Sequence, residues 1–258
     1  MAIDLNEASE IADCIAQVRK LPDLRDHINE IVQRIGFTYY AITEHINVRD
    51  IEGHAIDIVN YPNEWQRTFR SNRLFGVDPV HRASCVRTLA FAWNELSRII
   101  PLTSRDRFIL ETSHHAGLVD GVTIPINIPG HVNGSCSFAL TGDARVERLW
   151  LPTLQFVGQV VYEAAYRLHY RSSALSPSKP RLTDRQRDCV ALLAQGLTTR
   201  EIARKLGISY ETAVQHIKDA SASFGVKRRA NLVIRALLEG SISFRDVAPR
   251  FSPFLGIK

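Results

Sequence analysis

The stretch from Arg181 to Gly240 constrains this chain most, because its apolar residues and glycines divide it into helices too short for anything but a small helical head. After Thr183, apolar residues recur at Val190, Leu192, Leu193 and Ala194 until Gly196 ends the pattern in the manner of a helix-terminating glycine. Thr199 reads as the cap of a second helix, in which Ile202, Ala203 and Leu206 share a face before Gly207 stops it. A third helix starts at Ser209. There Ala213, Ile217, Ala220 and Phe224 recur at steps of four, three and four, which marks the buried stripe. A basic run, Lys227, Arg228 and Arg229, opens a fourth helix.

The face opposite that stripe carries Glu211, Val214, Gln215, Lys218 and Ala222. Small and polar side chains with one lysine suit a helix lying in the major groove of double-stranded DNA, where Gln and Lys can meet base edges or phosphate. Val214, Gln215 and Lys218 are therefore the groove candidates. His216 sits one position off that face and reads as packing or a phosphate contact, while Arg228 and Arg229 would position the backbone. The alternative is a helical interaction module with an ordinary solvated face. Charge segregation argues against it: residues 171–258 hold 16 Lys+Arg against 7 Asp+Glu, a net of +9, whereas residues 1–170 hold 16 against 20, a net of −4.

The same residues carry a family resemblance. LTDRQRDCVALLAQGLTTREIARKLGISYETAVQHI resembles the LuxR-type helix-turn-helix over the full module. Three positions depart from the pattern. Val190 replaces Leu and Ala213 replaces Val, both small volume losses in a small core; Gln186 replaces Glu, which removes a charge and any ion pair it would make.

Upstream, 258 residues and 45% hydrophobic content allow a second, larger domain. The boundaries read as a ligand-binding and dimerisation domain over 1–170, a Ser- and Pro-rich linker over 171–180, the helical head over 181–240 and a tail over 241–258 that carries no motif. The amino terminus lacks a signal-peptide pattern and no uncharged apolar run reaches membrane length, so a cytoplasmic protein without membrane contact is expected. Cys14, Cys85, Cys136 and Cys189 match no metal spacing and read as reduced, packed thiols.

Helical spacing runs over 11–19, 24–35, 62–69 and 105–116, and strand-like segments over 37–45, 54–61, 88–93, 122–128 and 135–140, the last two joined as a hairpin through a Gly130 to Gly134 turn. The segment 146–170 is apolar on more than one face, so it calls for two packing partners, and Pro152 belongs in its first turn or at a break. The expected fold class is α+β: an α/β/α sandwich with an antiparallel sheet, followed by an all-α, four-helix helix-turn-helix domain.

Tyr61, Trp65, Phe69, Phe75, Asp78 and Trp93 crowd aromatics and one carboxylate into a short stretch. Trp65 and Phe69, four apart, share a helix face, and Pro79 pushes Asp78 towards an extended conformation. Such a group forms a core more often than a ligand pocket, though it suits a mainly apolar pocket with a few polar tips. The segment YPNEWQRTFRSNRLFGVDPVHRASCVRTLAFAW is similar to the autoinducer-binding segment of LuxR-type receptors, and Gly117, Gly121, Pro125, Gly130 and Gly134 fall on that family's hairpin pattern.

The resemblance implies a small-molecule effector, an N-acyl-homoserine lactone, and no cofactor. By that likeness Trp65 would donate to the lactone carbonyl, Asp78 would accept the amide N–H, Tyr61 and Ser137 would bond the acyl carbonyl, and Trp93 would wall the lactone ring. Phe69 stands where the family commonly has Tyr, so either a polar group of the ligand goes unanswered there or the acyl chain is apolar nearby. The function implied is a quorum-sensing transcriptional regulator acting on a palindromic operator as a homodimer, with RNA polymerase a possible partner.

Other classes fit less well. A receptor of the same type for a different small molecule stays open. A phosphorylated response regulator needs an acidic pocket at a strand end, but the strand-like segments end in Glu44-His45, Asn60-Tyr61 and Trp93. An enzyme is not expected: there is no nucleophile elbow, metal run or P-loop, and the adjacent His114 and His115 diverge on a helix.

Overall fold

The structure, a computed structural model, describes residues 3–45, 55–128, 133–172 and 182–247. They fall into two compact units, one of residues 3–45, 55–128 and 133–172 and one of residues 182–247.

The first unit opens with two helices whose ends are set by local chemistry. α1 (Leu5–Gln17) starts in a capping box: the Asp4 side chain accepts from the Glu7 backbone at 2.9 Å, and Glu7 answers with 3.0 Å to the Asp4 N–H. α2 (Leu21–Arg34) has Pro22 in its first turn, where no amide donor is needed. Both bury a helical stripe, Ala8, Ile11 and Ile15 in α1 and Leu24, Ile28, Ile31 and Val32 in α2.

The sheet comprises β1 (Tyr39–Glu44), β2 (Asp57–Val59), β3 (Phe91–Ala92), β4 (Asp120–Ile126) and β5 (Gly134–Leu140) in the order β2-β1-β5-β4-β3, with every described pairing antiparallel. Side chains alternate faces with a period of two. Ile42, Ile58, Val122, Ile124, Cys136 and Phe138 point into one core with α1, α2 and the long helix α7 (Leu151–Ser172). Residues on the other face, among them Ala41, Thr43, Thr123 and Ser137, look towards α3 (Asn63–Ser71), α4 (Pro79–Ser84), α5 (Leu96–Ile99) and α6 (Ser104–His115). Helices thus cover both faces of an antiparallel sheet.

Several boundaries differ from the sequence reading. α4 was not expected at all, being six residues without a periodic stripe. α7 begins at Leu151 rather than near Val146, with Pro152 inside its first turn; Val146 is buried ahead of it, its N–H donating to the buried Asp120 Oδ2 at 2.9 Å. α7 also runs into the expected linker as far as Ser172. The hairpin turn at Gly130, His54 and most of the linker lie outside the described residues. Two cysteines are not packed: Cys14 and Cys85 are exposed, Cys136 and Cys189 buried, and all four are free thiols.

The second unit comprises α8 (Asp184–Ala194), α9 (Thr199–Leu206), α10 (Tyr210–Ser223), α11 (Arg229–Leu238) and a single turn, α12 (Phe244–Val247). Its core joins Cys189, Val190, Ile202, Ala213, Ile217 and Leu232, all fully or nearly fully buried. Thr198, not Thr199, caps α9, in a box with Glu201; Thr199 is the first helical residue and is buried. Gly207 ends α9 at a φ of 64°, a left-handed conformation that glycine adopts without Cβ strain. Gln186 makes the capping bond without a charge. It completes a capping box with Thr183, its side-chain oxygen accepting the Thr183 N–H at 2.9 Å, so no ion pair is called for at this position.

The head does not stop at Gly240. Ile242 is 3% exposed within the same core, and Gln195 Nε2 donates to the Asp246 carbonyl at 2.6 Å. Ser243 and Asp246 exchange side-chain bonds that start α12. A fifth short helix therefore closes the domain over residues the sequence reading assigned to a tail.

Candidate functional site

Between the second face of the sheet and the helices α3, α4 and α6 lies a cavity of about 90 Å³. By the same measure one water needs at least about 10–15 Å³, so the space suits a small organic group. Tyr61, Trp65, Phe69, Asp78, Trp93 and Ser137 all line it, so the structure brings together every ligand-contact residue expected from sequence. Trp65, Tyr61, Phe69 and Trp93 also pack with Leu74, Ile109 and Leu118, so the aromatic cluster is a core and a cavity wall at once.

Each residue reaches the cavity for a local reason. On α3, Trp65 and Phe69 are one turn apart, with ring centroids 5.8 Å apart. Asp78 is the cap of α4: its Oδ1 accepts from the backbone of Val80 at 2.6 Å and of His81 at 3.2 Å, while Pro79 occupies the first helical position. Both cap bonds fall on Oδ1, which leaves Oδ2 without capping duty, and the residue is only 7% exposed. Trp93 follows β3 and lies against Gly121, where a Cβ would meet the indole ring at 2.8 Å and the Phe138 carbonyl at 2.7 Å. Only glycine permits that approach.

A hydrogen-bond chain crosses the sheet on the cavity side. Trp93 Nε1 donates to Thr123 Oγ1 at 2.9 Å, and Thr123 Oγ1 and Ser137 Oγ are 2.9 Å apart, with the Tyr61 side chain on the same cavity wall. Antiparallel register places Thr123 opposite Ser137 and Ala41 beside it. Burial first, and then the nearby Asp78 charge, push the Tyr61 hydroxyl above its ordinary range. Tyr61 therefore stays a protonated donor. The Trp65 indole N–H has no hydrogen bond among the described residues. An unpaired donor and a carboxylate oxygen, both facing an apolar space, can receive a carbonyl and an amide N–H respectively.

Sequence reasoning missed Thr123 and His81. Thr123 could have been found from strand alternation, since Val122 and Ile124 face the other core. His81 gives no periodic signal, and its place in the wall follows only from the packing of α4. At the cavity margin Arg70 pairs with Asp57 at 3.2 Å, an exposed pair worth under about 1 kcal/mol. Deeper, Arg82 Nη1 meets the buried Asp106 at 2.8 Å and ties α4 to α6. Desolvation would raise the Asp106 carboxyl, but its bonds from Thr103 and the Arg82 guanidinium outweigh it and hold the carboxyl below the usual range.

In the second unit Gln215 and Lys218 are exposed on α10, while Val214 and His216 are half-buried. Gln215 Nε2 donates to Asp219 Oδ1 at 2.7 Å, so its amide must leave that partner, or present its oxygen, to meet a base. Arg228 is exposed at the cap of α11. Arg229 is exposed too, and one of its guanidinium nitrogens donates to Thr199 Oγ1 at 2.9 Å, which ties α11 to the start of α9. Arg200, Arg204 and Lys205 on α9 and Tyr210 at the start of α10 line the same unit and were not singled out from sequence; Arg200, Arg204 and Tyr210 are exposed.

Residues 21–165 match the family described as "Autoinducer binding domain", and residues 180–236 match "Bacterial regulatory proteins, luxR family". The chain is 25% identical over 229 residues to the transcriptional activator protein AhyR of Aeromonas hydrophila, covering 83% of this chain and 85% of that one. Among solved structures it is similar to SdiA in complex with octanoyl-rac-glycerol, at a TM-score of 0.63 and 19% identity, over 94% of this chain and 99% of that one. It is also similar to the N-acylhomoserine lactone dependent factor CepR2 of Burkholderia cenocepacia, at a TM-score of 0.51 and 14% identity, over 66% of this chain and 97% of that one. At these identities the structures speak for the fold. With the family matches spanning both units, the chain belongs to the LuxR family of autoinducer-binding, DNA-binding transcriptional regulators of quorum sensing.

Proposed function

We propose that the cavity binds an N-acyl-homoserine lactone and that ligand occupancy governs binding of a homodimer to a palindromic operator. The observation that carries the ligand reading is the convergence of Tyr61, Trp65, Asp78 and Ser137 on one mainly apolar space, with the Trp65 N–H unpaired among the described residues. Trp65 donates to the lactone carbonyl, Asp78 Oδ2 accepts the amide N–H, and Tyr61 and Ser137 bond the acyl carbonyl. Trp93, its own N–H committed to Thr123, walls the ring. Phe69 flanks the chain. CepR2 is titled N-acylhomoserine lactone dependent, which favours this ligand class.

In the head, Val214, Gln215 and Lys218 face the groove, His216 and Arg228 meet phosphate, and Arg229 orients α11 through Thr199. RNA polymerase is the partner through which a bound dimer acts on transcription. A second reading, an acyl compound without a lactone, is favoured by SdiA holding octanoyl-rac-glycerol.

Calorimetric titration of the full chain with acyl-homoserine lactones and with acylglycerols decides between the two. Asp78→Asn keeps a capping side chain and removes the charge. Lactone binding that is tight in the parent and weakened about tenfold or more in the variant supports the assignment; affinity untouched by the substitution refutes it.

A further inference from the structure

Among the described helices of the second unit, α10 is the one in which carboxylates outnumber cations. Lys218 stands there against Glu211 and Asp219, whereas α9 carries Arg200, Arg204 and Lys205 against Glu201, and α11 carries Arg229 and Arg235 with no carboxylate. A carboxylate on a helix that lies in a DNA groove is repelled by phosphate, so it weakens binding unless it does something else. Asp219 does: its Oδ1 accepts the hydrogen bond of Gln215 Nε2 at 2.7 Å. Four residues apart, the two share a helix face, on which Gln215 is exposed and Asp219 half-buried. The ion pairs of this unit among the described residues join Arg185 to Asp188, Arg187 to Asp184 and Arg235 to Glu239, which leaves the Asp219 carboxylate to Gln215.

An ionised carboxylate accepts hydrogen bonds and donates none, so it dictates which end of an amide faces it. With Nε2 turned to Asp219, Gln215 offers outwards its Oε1 and its remaining N–H. Turning the amide over would set two acceptor oxygens against each other, a cost that grows once DNA has excluded the water between them. Base edges in the major groove tell these two orientations apart. Adenine shows an N6 amino donor beside the N7 acceptor, the complement of an amide oxygen beside an N–H. Guanine shows two acceptors, O6 and N7, and so meets the amide oxygen with like polarity.

We propose that Asp219 is a positioning residue for sequence recognition: by holding the Gln215 amide in one orientation, it makes that side chain a reader of adenine that rejects guanine. This rests on the reading of Gln215 as a groove-facing residue. Lys218, which only donates, suits guanine instead, so the neighbouring side chains discriminate in opposite senses. A mere brace between one helical turn and the next would act on folding, and on every DNA sequence alike.

The test is selection by the full chain from duplexes with a randomised core, with N-octanoyl homoserine lactone present and absent, followed by gel-shift titration of the selected duplex at one salt concentration. The base pair at which Gln215→Ala loses the parent's preference is the one that Gln215 reads. It should be A·T, bound by the parent about tenfold more tightly than G·C at that place, and replacing its adenine with 2-aminopurine, which moves the amino group to the minor groove, should cost a similar factor. Asp219→Ala, which frees the amide, and Asp219→Asn, whose side chain can face it with either end, should shrink both ratios to about twofold while preferences at the other positions persist. Asp219→Glu, still acceptor-only, should keep them. A parent preference for G·C at that pair overturns the proposal. So does discrimination that survives in whichever of the alanine and asparagine variants folds, or that falls as far in the glutamate variant as in the alanine one. In each of these cases the groove reading of Gln215 stands. A Gln215→Ala variant that keeps the parent's preference at every position takes Gln215 out of the groove, and the role of Asp219 fails with it. A parent that enriches no sequence under either condition overturns both.

Discussion

Replacing Thr123 by valine keeps the shape of a fully buried side chain and deletes one oxygen on which two groups depend. Trp93 Nε1 loses its acceptor at 2.9 Å and, pinned against Gly121, cannot turn freely to find another. That unpaired N–H costs about 1–3 kcal/mol. Ser137 forfeits a net hydrogen bond, about 1 kcal/mol. The loss should total about 2–4 kcal/mol, which at a urea m-value of about 2 kcal/mol/M lowers the midpoint by roughly 1–2 M. Trp65, Trp93 and Trp150 are the three tryptophans of the chain and all lie in the first unit, so their fluorescence follows that unit within the intact protein. Thr123→Ser is the control. It keeps the oxygen and loses a methyl, at about 1 kcal/mol. Should the valine variant unfold no earlier in urea than the serine variant, with the same m-value, the hydrogen-bond chain across the sheet contributes nothing and the reasoning is refuted.

Other outcomes follow from the same geometry. Asp78→Ala should lose about 0.5–2 kcal/mol of stability by uncapping α4, in addition to ligand affinity, whereas Asp78→Asn should melt within a few degrees of the parent; equal melting of all three in a thermal scan would remove the capping role. The Asp106 carboxyl is depressed in the folded state, so its contribution is fully present above the unfolded carboxylate value near 4 and is lost as pH falls through the folded value. Acid unfolding of Asp106→Asn should accordingly show a flatter limb below about pH 4, and an unchanged limb would count against the Arg82 pair. Lys218→Ala should weaken operator binding by about 1–3 kcal/mol and random DNA less, whereas Arg228→Ala should weaken both and reduce the salt slope by about one. Gel-shift titrations across salt concentrations read both, and equal losses for Lys218→Ala on the two DNAs would move it to the phosphate contacts.

Much of the fold was legible because its signals are local. Thr183 with Gln186 and Ser209 before Thr212 bond within one turn, and the Ala213, Ile217, Ala220 and Phe224 stripe needs only the helical period. The ligand candidates were legible as types at spacings, through a family likeness that already encodes their convergence. Elements without period were not: α4 is too short to show a stripe, and the end of the head at Gly240 was misplaced because Ile242 and Asp246 acquire their roles only against α8 and the residue that follows it. Arg229, expected to position the DNA backbone, also bonds Thr199 thirty positions away, a partner no local pattern announces.

By itself the sequence determined the helical head, its basic charge and the α+β class, since each is a matter of composition or of neighbours within a few residues, and its family likeness singled out the aromatic and acidic groups that line the cavity. Only the tertiary structure decided which polar atoms in that cavity are already spoken for. Thr123 and Ser137 meet through strand register, and His45 and His81 stack because the end of β1 passes under α4. The physical reason is that a hydrogen bond depends on distance and direction to about half an ångström, and a one-dimensional pattern carries neither across a sheet.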